Sequence, residues 1–198
     1  MTLVQLLQHP LIVGASVSAD WIAPSPGKYL VEQRAPTADV RTIARGRTTG
    51  AQVLKSVRPE DLRDRSVVIG VDLFFWDSTQ SQCATSLEAL RSLIHQTASL
   101  KIPLVLGDVP ELLPGRHPCR DSLNREIRSA QHRHVGVLGL EAIHREILTT
   151  GRLRYRGRSY AFGELVPDGL HVNTLATAYL ADRLEGVLTG LLENDHKK

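Results

Sequence analysis

Leu11-Ile12-Val13-Gly14-Ala15-Ser16-Val17-Ser18-Ala19-Asp20-Trp21 is the stretch on which the fold turns. A short apolar run rich in β-branched residues reads as a buried strand, and the glycine that closes it opens a sharp turn. Strand, turn, then helix is the context in which open α/β sheets expose a hydroxyl at their carboxyl edge, where they place ligands. Working outward, the polar, proline-containing stretch through Ser25-Pro26-Gly27 reads as a loop. Residues 39–44 read as a short second strand, and 50–57 as the start of a helix. Residues 67–71 form the clearest central strand. Leu87, Leu90, Leu93 and Ile94 recur at helical spacing and predict an amphipathic helix over 86–100. A strand over 102–107, a loop over 108–118, a helix over 121–132 and a strand over 135–140 continue the rhythm. Alternation of this kind predicts a three-layer α/β/α domain with a mainly parallel central sheet.

Two features close the chain. Residues 152–162 alternate with period two around Gly157, the pattern of a small β-hairpin. The last helix starts near Asn173, a good N-cap, and carries Leu175, Ala176, Tyr179, Leu180, Leu184, Val187, Leu188 and Leu191 on one broad face. The reading contains no internal repeat and no linker. At 198 residues, 42% hydrophobic and 23% charged, the chain suits one domain over residues 1–198.

Charge and cysteine content narrow the function. A formal charge of +3 and an isoelectric point near 9.1 favour anionic surroundings mildly, and no nucleic-acid motif accompanies them, so no nucleic-acid partner is expected. Cys83 and Cys119 lie far apart and match no metal or redox spacing; two free thiols in a reducing compartment is the simpler reading. The N-terminus lacks a basic region before its apolar residues, and nothing approaches a membrane-spanning run, so the expectation is a cytoplasmic protein without a membrane partner. His132 and His134 have strand-like spacing but no third ligand, and no dinucleotide fingerprint is present; neither metal nor organic cofactor is expected. Oligomeric state is not legible.

The chemistry-bearing segment is Pro167-Asp168-Gly169-Leu170-His171-Val172-Asn173, which sets a carboxylate three residues before an imidazole on a glycine-containing turn. An imidazole whose Nδ1 hydrogen is held by a carboxylate presents Nε2 as a general base and activates a weak hydroxyl nucleophile. Ser16 is the matching hydroxyl. Ser18, its neighbour, reads as a helix cap.

Taken together, Gly14-Ala15-Ser16 and Asp168-Gly169-Leu170-His171 resemble the first and last conserved blocks of the SGNH hydrolases, the GDSL-type esterase superfamily. Gly50 fits the second block and Val67 to Leu73 the third, so the resemblance spans most of the chain. It implies a flavodoxin-like topology and ester hydrolysis through an acyl-enzyme, with Ser16 as nucleophile, His171 as base and Asp168 orienting it. The substrate implied is a small-molecule ester; short acyl esters, acetylated sugars and thioesters are all open. The resemblance also implies an oxyanion hole from the Ser16 and Gly50 N–H groups and the side chain at position 72.

Three positions depart from the family pattern. Asp72 stands where the family has Asn, Ala15 where it has Asp, and Val172 where Pro is common. An ionised carboxylate accepts and cannot donate. A lost oxyanion donor costs about 2.7–4 kcal/mol of transition-state stabilisation. Three escapes are open: a protonated Asp72, a substitute donor such as Asn124, or sufficiency of the backbone N–H groups. The alternative to catalysis is a weakened site that binds a carbohydrate or acyl ligand without turnover. Phe74, Phe75 and Trp76 cluster at the mouth of the expected site and are read as substrate-binding, with loop packing as the plainer role. Asp77 lies at the wrong distance from Gly70 to be the third-block acid. Arg152, Arg154, Arg156 and Arg158 read as a solvated face of the hairpin, with an anion-holding ridge as the sharper alternative.

Overall fold

The computed structural model describes residues 1–132 and 134–195. Five strands, β1 (Pro10–Gly14), β2 (Arg41–Ala44), β3 (Val67–Gly70), β4 (Leu104–Gly107) and β5 (Val135–Leu138), form one parallel sheet in the order β2-β1-β3-β4-β5. This is the flavodoxin-like winding, whose switch point lies between β1 and β3. The helices are α1 (Leu3–Leu6), α2 (Pro26–Arg34), α3 (Gly50–Leu54), α4 (Pro59–Leu62), α5 (Ala84–Ser99), α6 (Arg120–Ser129), α7 (Leu140–Thr150), α8 (Phe162–Leu165) and α9 (Thr174–Asp195). A hairpin of β6 (Arg152–Tyr155) and β7 (Arg158–Ala161) precedes α8.

Strand alternation builds the layers. Leu11, Val13, Val68, Leu104 and Leu106 face a core shared with Val53, Leu62, Leu90, Leu93, Leu123 and Ile127, from α3 to α6. Ile12, Val67, Ile69 and Val105 face the opposite core, shared with Leu6, Leu30, Val31, Ala181, Leu184 and Leu188. Both faces of the sheet are therefore covered, as the continuous apolar strands require. Each fully buried Leu, Ile or Val contributes about 1.5–3 kcal/mol. The closeness of α9 to the sheet depends on Gly136, where a Cβ would lie 2.4 Å from Val187 Cγ1.

Several sequence expectations are corrected. Pro26 and Gly27, read as part of a polar stretch, begin helix α2 (residues 26–34): Ser25 caps it by accepting the Lys28 N–H, and Pro26 fills the first helical position, where no N–H is needed. Helix α7, which the sequence reading did not place, packs Ile147 into a satellite core with Leu153, Leu165, Val166 and Ala176, with Ile143 against it. The cysteines are bonded: Cys83 and Cys119, with Cα atoms 5.1 Å apart, join the start of α5 to the start of α6. The free thiols expected of a reducing compartment are absent, and such bonds persist in oxidising surroundings. Among the described residues no helix is long and apolar enough to cross a membrane.

The hairpin forms as read, with Arg156 and Gly157 both at positive φ, the backbone of a type I′ turn. Two of its arginines are held by protein groups. Arg156 pairs with Asp182 of α9, and Arg152 bonds to Ser159 across the strands.

Candidate active site

Ser16 follows β1 in a single helical turn closed by the Ala19 N–H to Ala15 carbonyl bond, so its hydroxyl stands at the carboxyl edge of the sheet. The partner loop is built from its own residues. Gly169 sits at φ +77°, in the left-handed region, and Asn173 ties the loop at both ends: its N–H and side chain bond the carbonyls of Leu165 and Glu164, and its Oδ1 accepts the Ala176 N–H to cap α9.

These two segments, 155 residues apart, meet. Ser16 Oγ lies 2.9 Å from His171 Nε2, and His171 Nδ1 lies 2.6 Å from Asp168 Oδ2. The other Asp168 oxygen accepts the N–H groups of Leu170 at 2.9 Å and His171 at 2.6 Å. Burial, the largest influence on Asp168, raises its pKa, but the His171 backbone and ring and the Leu170 N–H outweigh it and hold the carboxyl at about 2. A carboxylate ionised throughout the neutral range fixes the imidazole with Nδ1 protonated and Nε2 free to accept the Ser16 proton. Ser16 is buried, at 5% exposure.

Sequence reasoning missed Trp21. Its half-exposed indole packs 5.3 Å from the His171 ring, with Arg47 over its face at 5.7 Å. The contact joins residues 150 positions apart and had no local signal.

At two of the three expected oxyanion-hole positions the groups bond within the scaffold. Asp72 points beneath the Ser16 turn and accepts the N–H groups of Ala15 at 3.1 Å, Val17 at 2.8 Å and Ser18 at 3.3 Å, together with the Ser18 hydroxyl at 2.5 Å. Its surroundings are donors, so the site calls for an acceptor there; burial nevertheless pushes its pKa up, against the pull of those bonds. Asp72 thus holds the Ser16 turn. Ser18, read as a cap, bonds to Asp72 instead. The same carboxylate explains Gly14, where a Cβ would lie 2.3 Å from Asp72 Oδ1.

Gly50 N–H is also engaged. It donates to the buried carboxylate of Asp77, whose second oxygen accepts the Ala51 N–H at 3.2 Å. Asp77 therefore caps α3, a role its distance from Gly70 did not advertise. The Ser16 N–H is the one expected donor that bonds to no acceptor among the described residues. Asn124 offers no replacement, since its amide is spent on Val109 and Glu141.

A cleft of about 110 Å³ opens beside Ser16. Phe74 and Phe75 line it. Trp76 does not; it packs edge-on against Phe75 at 5.4 Å. None of Arg152, Arg154, Arg156 and Arg158 reaches the cleft wall. No group of three or more His, Cys, Asp or Glu side chains suited to a metal ion occurs among the described residues.

No protein-family model matches the chain, and no curated protein does. Solved structures do. A lipolytic protein of the G-D-S-L family from Desulfitobacterium hafniense superposes with a TM-score of 0.66 at 15% identity, over 91% of this chain and 99% of its own. The acetylxylan esterase Axe2 from Geobacillus stearothermophilus gives 0.65 at 16% identity, over 91% and 94%. The psychrotrophic esterase EstA from Pseudoalteromonas gives 0.64 at 16% identity, over 94% and 100%. The chain has the SGNH-hydrolase fold.

Proposed function

We propose that the protein is a serine hydrolase that cleaves an ester through an acyl-enzyme, within one domain spanning residues 1–198. The observation that carries this is the unbroken line from Ser16 Oγ through His171 to Asp168, at 2.9 and 2.6 Å, opening on the cleft. Ser16 Oγ attacks the ester carbonyl while His171 Nε2 takes its proton. The tetrahedral intermediate collapses as the imidazolium returns that proton to the leaving alcohol, and water, activated by the same nitrogen, then frees the acid. The Ser16 N–H stabilises the oxyanion. With Gly50 and Asp72 engaged elsewhere, this hole is thinner than the family resemblance implies, and each missing donor lowers the rate by roughly a hundred- to a thousand-fold.

That engagement favours a second reading, in which the cleft binds an acyl or carbohydrate ligand without turnover. Hydrolysis of p-nitrophenyl acetate separates the two. Turnover by wild type that disappears in Ser16→Ala supports the hydrolase, whereas equal background rates in both support the binder.

A further inference from the structure

Ester substrates have two halves, and the cleft's chemistry discriminates between acyl groups. Beside Ser16 the cleft is lined mostly by apolar side chains, among them Val17, Phe74, Val109, Ile143 and Ile147 of α7, and Phe162. Charged groups at its edge are turned away. Asp72 is bound to the Ser16 turn, and Asp108 is bound to Arg128 and to the Glu141 N–H at 2.7 Å. His144, packed 5.5 Å from the Phe162 ring, is held below the ordinary histidine pKa by burial, so it meets the cleft as a neutral ring at pH 7. This apolar lining matches a hydrocarbon chain and offers little to a charged or hydroxylated group.

Resting on the hydrolase reading, we infer that the substrate is an ester of an unbranched, medium-length aliphatic acid whose chain lies along α7. Leu140, Ile143 and Ile147 span two turns of that helix, about 10 Å, the length of an extended chain of about eight carbons. The short acyl and acetyl esters left open by the sequence are then poor substrates. Specificity lies in Ile143 and Ile147, with Val109 and Phe162 in the same lining.

The test compares kcat/KM for p-nitrophenyl acetate, butyrate, octanoate and dodecanoate. Burial of each methylene should raise kcat/KM by about fourfold, so octanoate should exceed butyrate by on the order of a hundredfold. A flat or falling series, with acetate turned over in a Ser16-dependent way, overturns the chain inference and leaves the hydrolase reading standing. Ile143→Trp should lower the octanoate-to-butyrate ratio at least tenfold; an unchanged ratio in a variant that melts cooperatively counts against it. Should that variant not fold, calorimetric titration of Ser16→Ala with sodium decanoate and sodium butyrate decides independently of turnover. Decanoate binding at least tenfold tighter supports the inference, and equal affinity or no binding refutes it. Tight decanoate binding by a protein that cleaves none of the four esters would retain the chain inference and remove the hydrolase reading.

Discussion

Asp72→Asn separates two roles for one side chain, because the amide keeps the shape of the carboxyl group but turns one acceptor into a donor. In the folded protein that donor would face either Val17 N–H, now 2.8 Å from Oδ2, or Ala15 N–H and the Ser18 hydroxyl, now 3.1 and 2.5 Å from Oδ1. At least one buried N–H loses its acceptor, at about 1–3 kcal/mol, and the remaining bonds lose their charge assistance. Relief of the burial that raises the Asp72 pKa offsets part of this. The net expectation is about 2 kcal/mol of destabilisation, or a fall of about 4–8 °C in Tm for a chain of this length. Activity should fall too, since a loosened turn displaces Ser16 Oγ from His171, and a shift of about 1 Å costs on the order of a hundredfold. Thermal melts and p-nitrophenyl ester kinetics on the same preparation check both. A variant with unchanged Tm and raised kcat would refute the reasoning and return Asp72 to the oxyanion hole as a poor substitute for asparagine.

Asp168→Asn should lower kcat by roughly ten-thousand-fold while leaving the fold in place, through the wrong imidazole tautomer, as steady-state kinetics would report. Because the folded pKa of Asp168 is depressed from 3.8 to about 2, its contribution to stability is present above about pH 4 and is lost as pH falls through 2. Urea melts of wild type and Asp168→Asn should therefore differ at pH 5 and converge toward pH 2; a constant gap contradicts the assigned bonds. Reduction of Cys83–Cys119, which closes a loop with a sequence separation of 36, should cost about 2–4 kcal/mol, seen as a lower urea midpoint in reductant. An unchanged midpoint after verified reduction would show that the bond constrains little.

What could be read from sequence was what sequence encodes locally. Val67 to Gly70 is buried on both faces and announces itself by continuous β-branched residues; Asn173 announces α9 by its cap. The Asp168–His171 pair is three residues long and the Ser16 turn follows directly on β1, so both halves of the site carry their own signal. Asp72 and Asp77 carry none. Their roles depend on N–H groups 54–57 and 26–27 residues away, and no spacing rule reaches that far. The disulfide has the same character: only the folded chain brings the two helix starts within bonding distance. Helix α2 was hidden differently, since proline and glycine read as breakers, whereas Pro26 begins the helix and Gly27 lets Ile12 pack against it, 3.1 Å from where a Cβ would stand.

The central claim is that the Ser16 hydroxyl, activated by His171, is the nucleophile. Incubation with an alkyl fluorophosphonate followed by peptide mass spectrometry tests it directly. The account predicts a single covalent adduct on Ser16, absent in Ser16→Ala and strongly slowed in His171→Ala. An adduct confined to another serine, or none in a protein that hydrolyses esters, would contradict it.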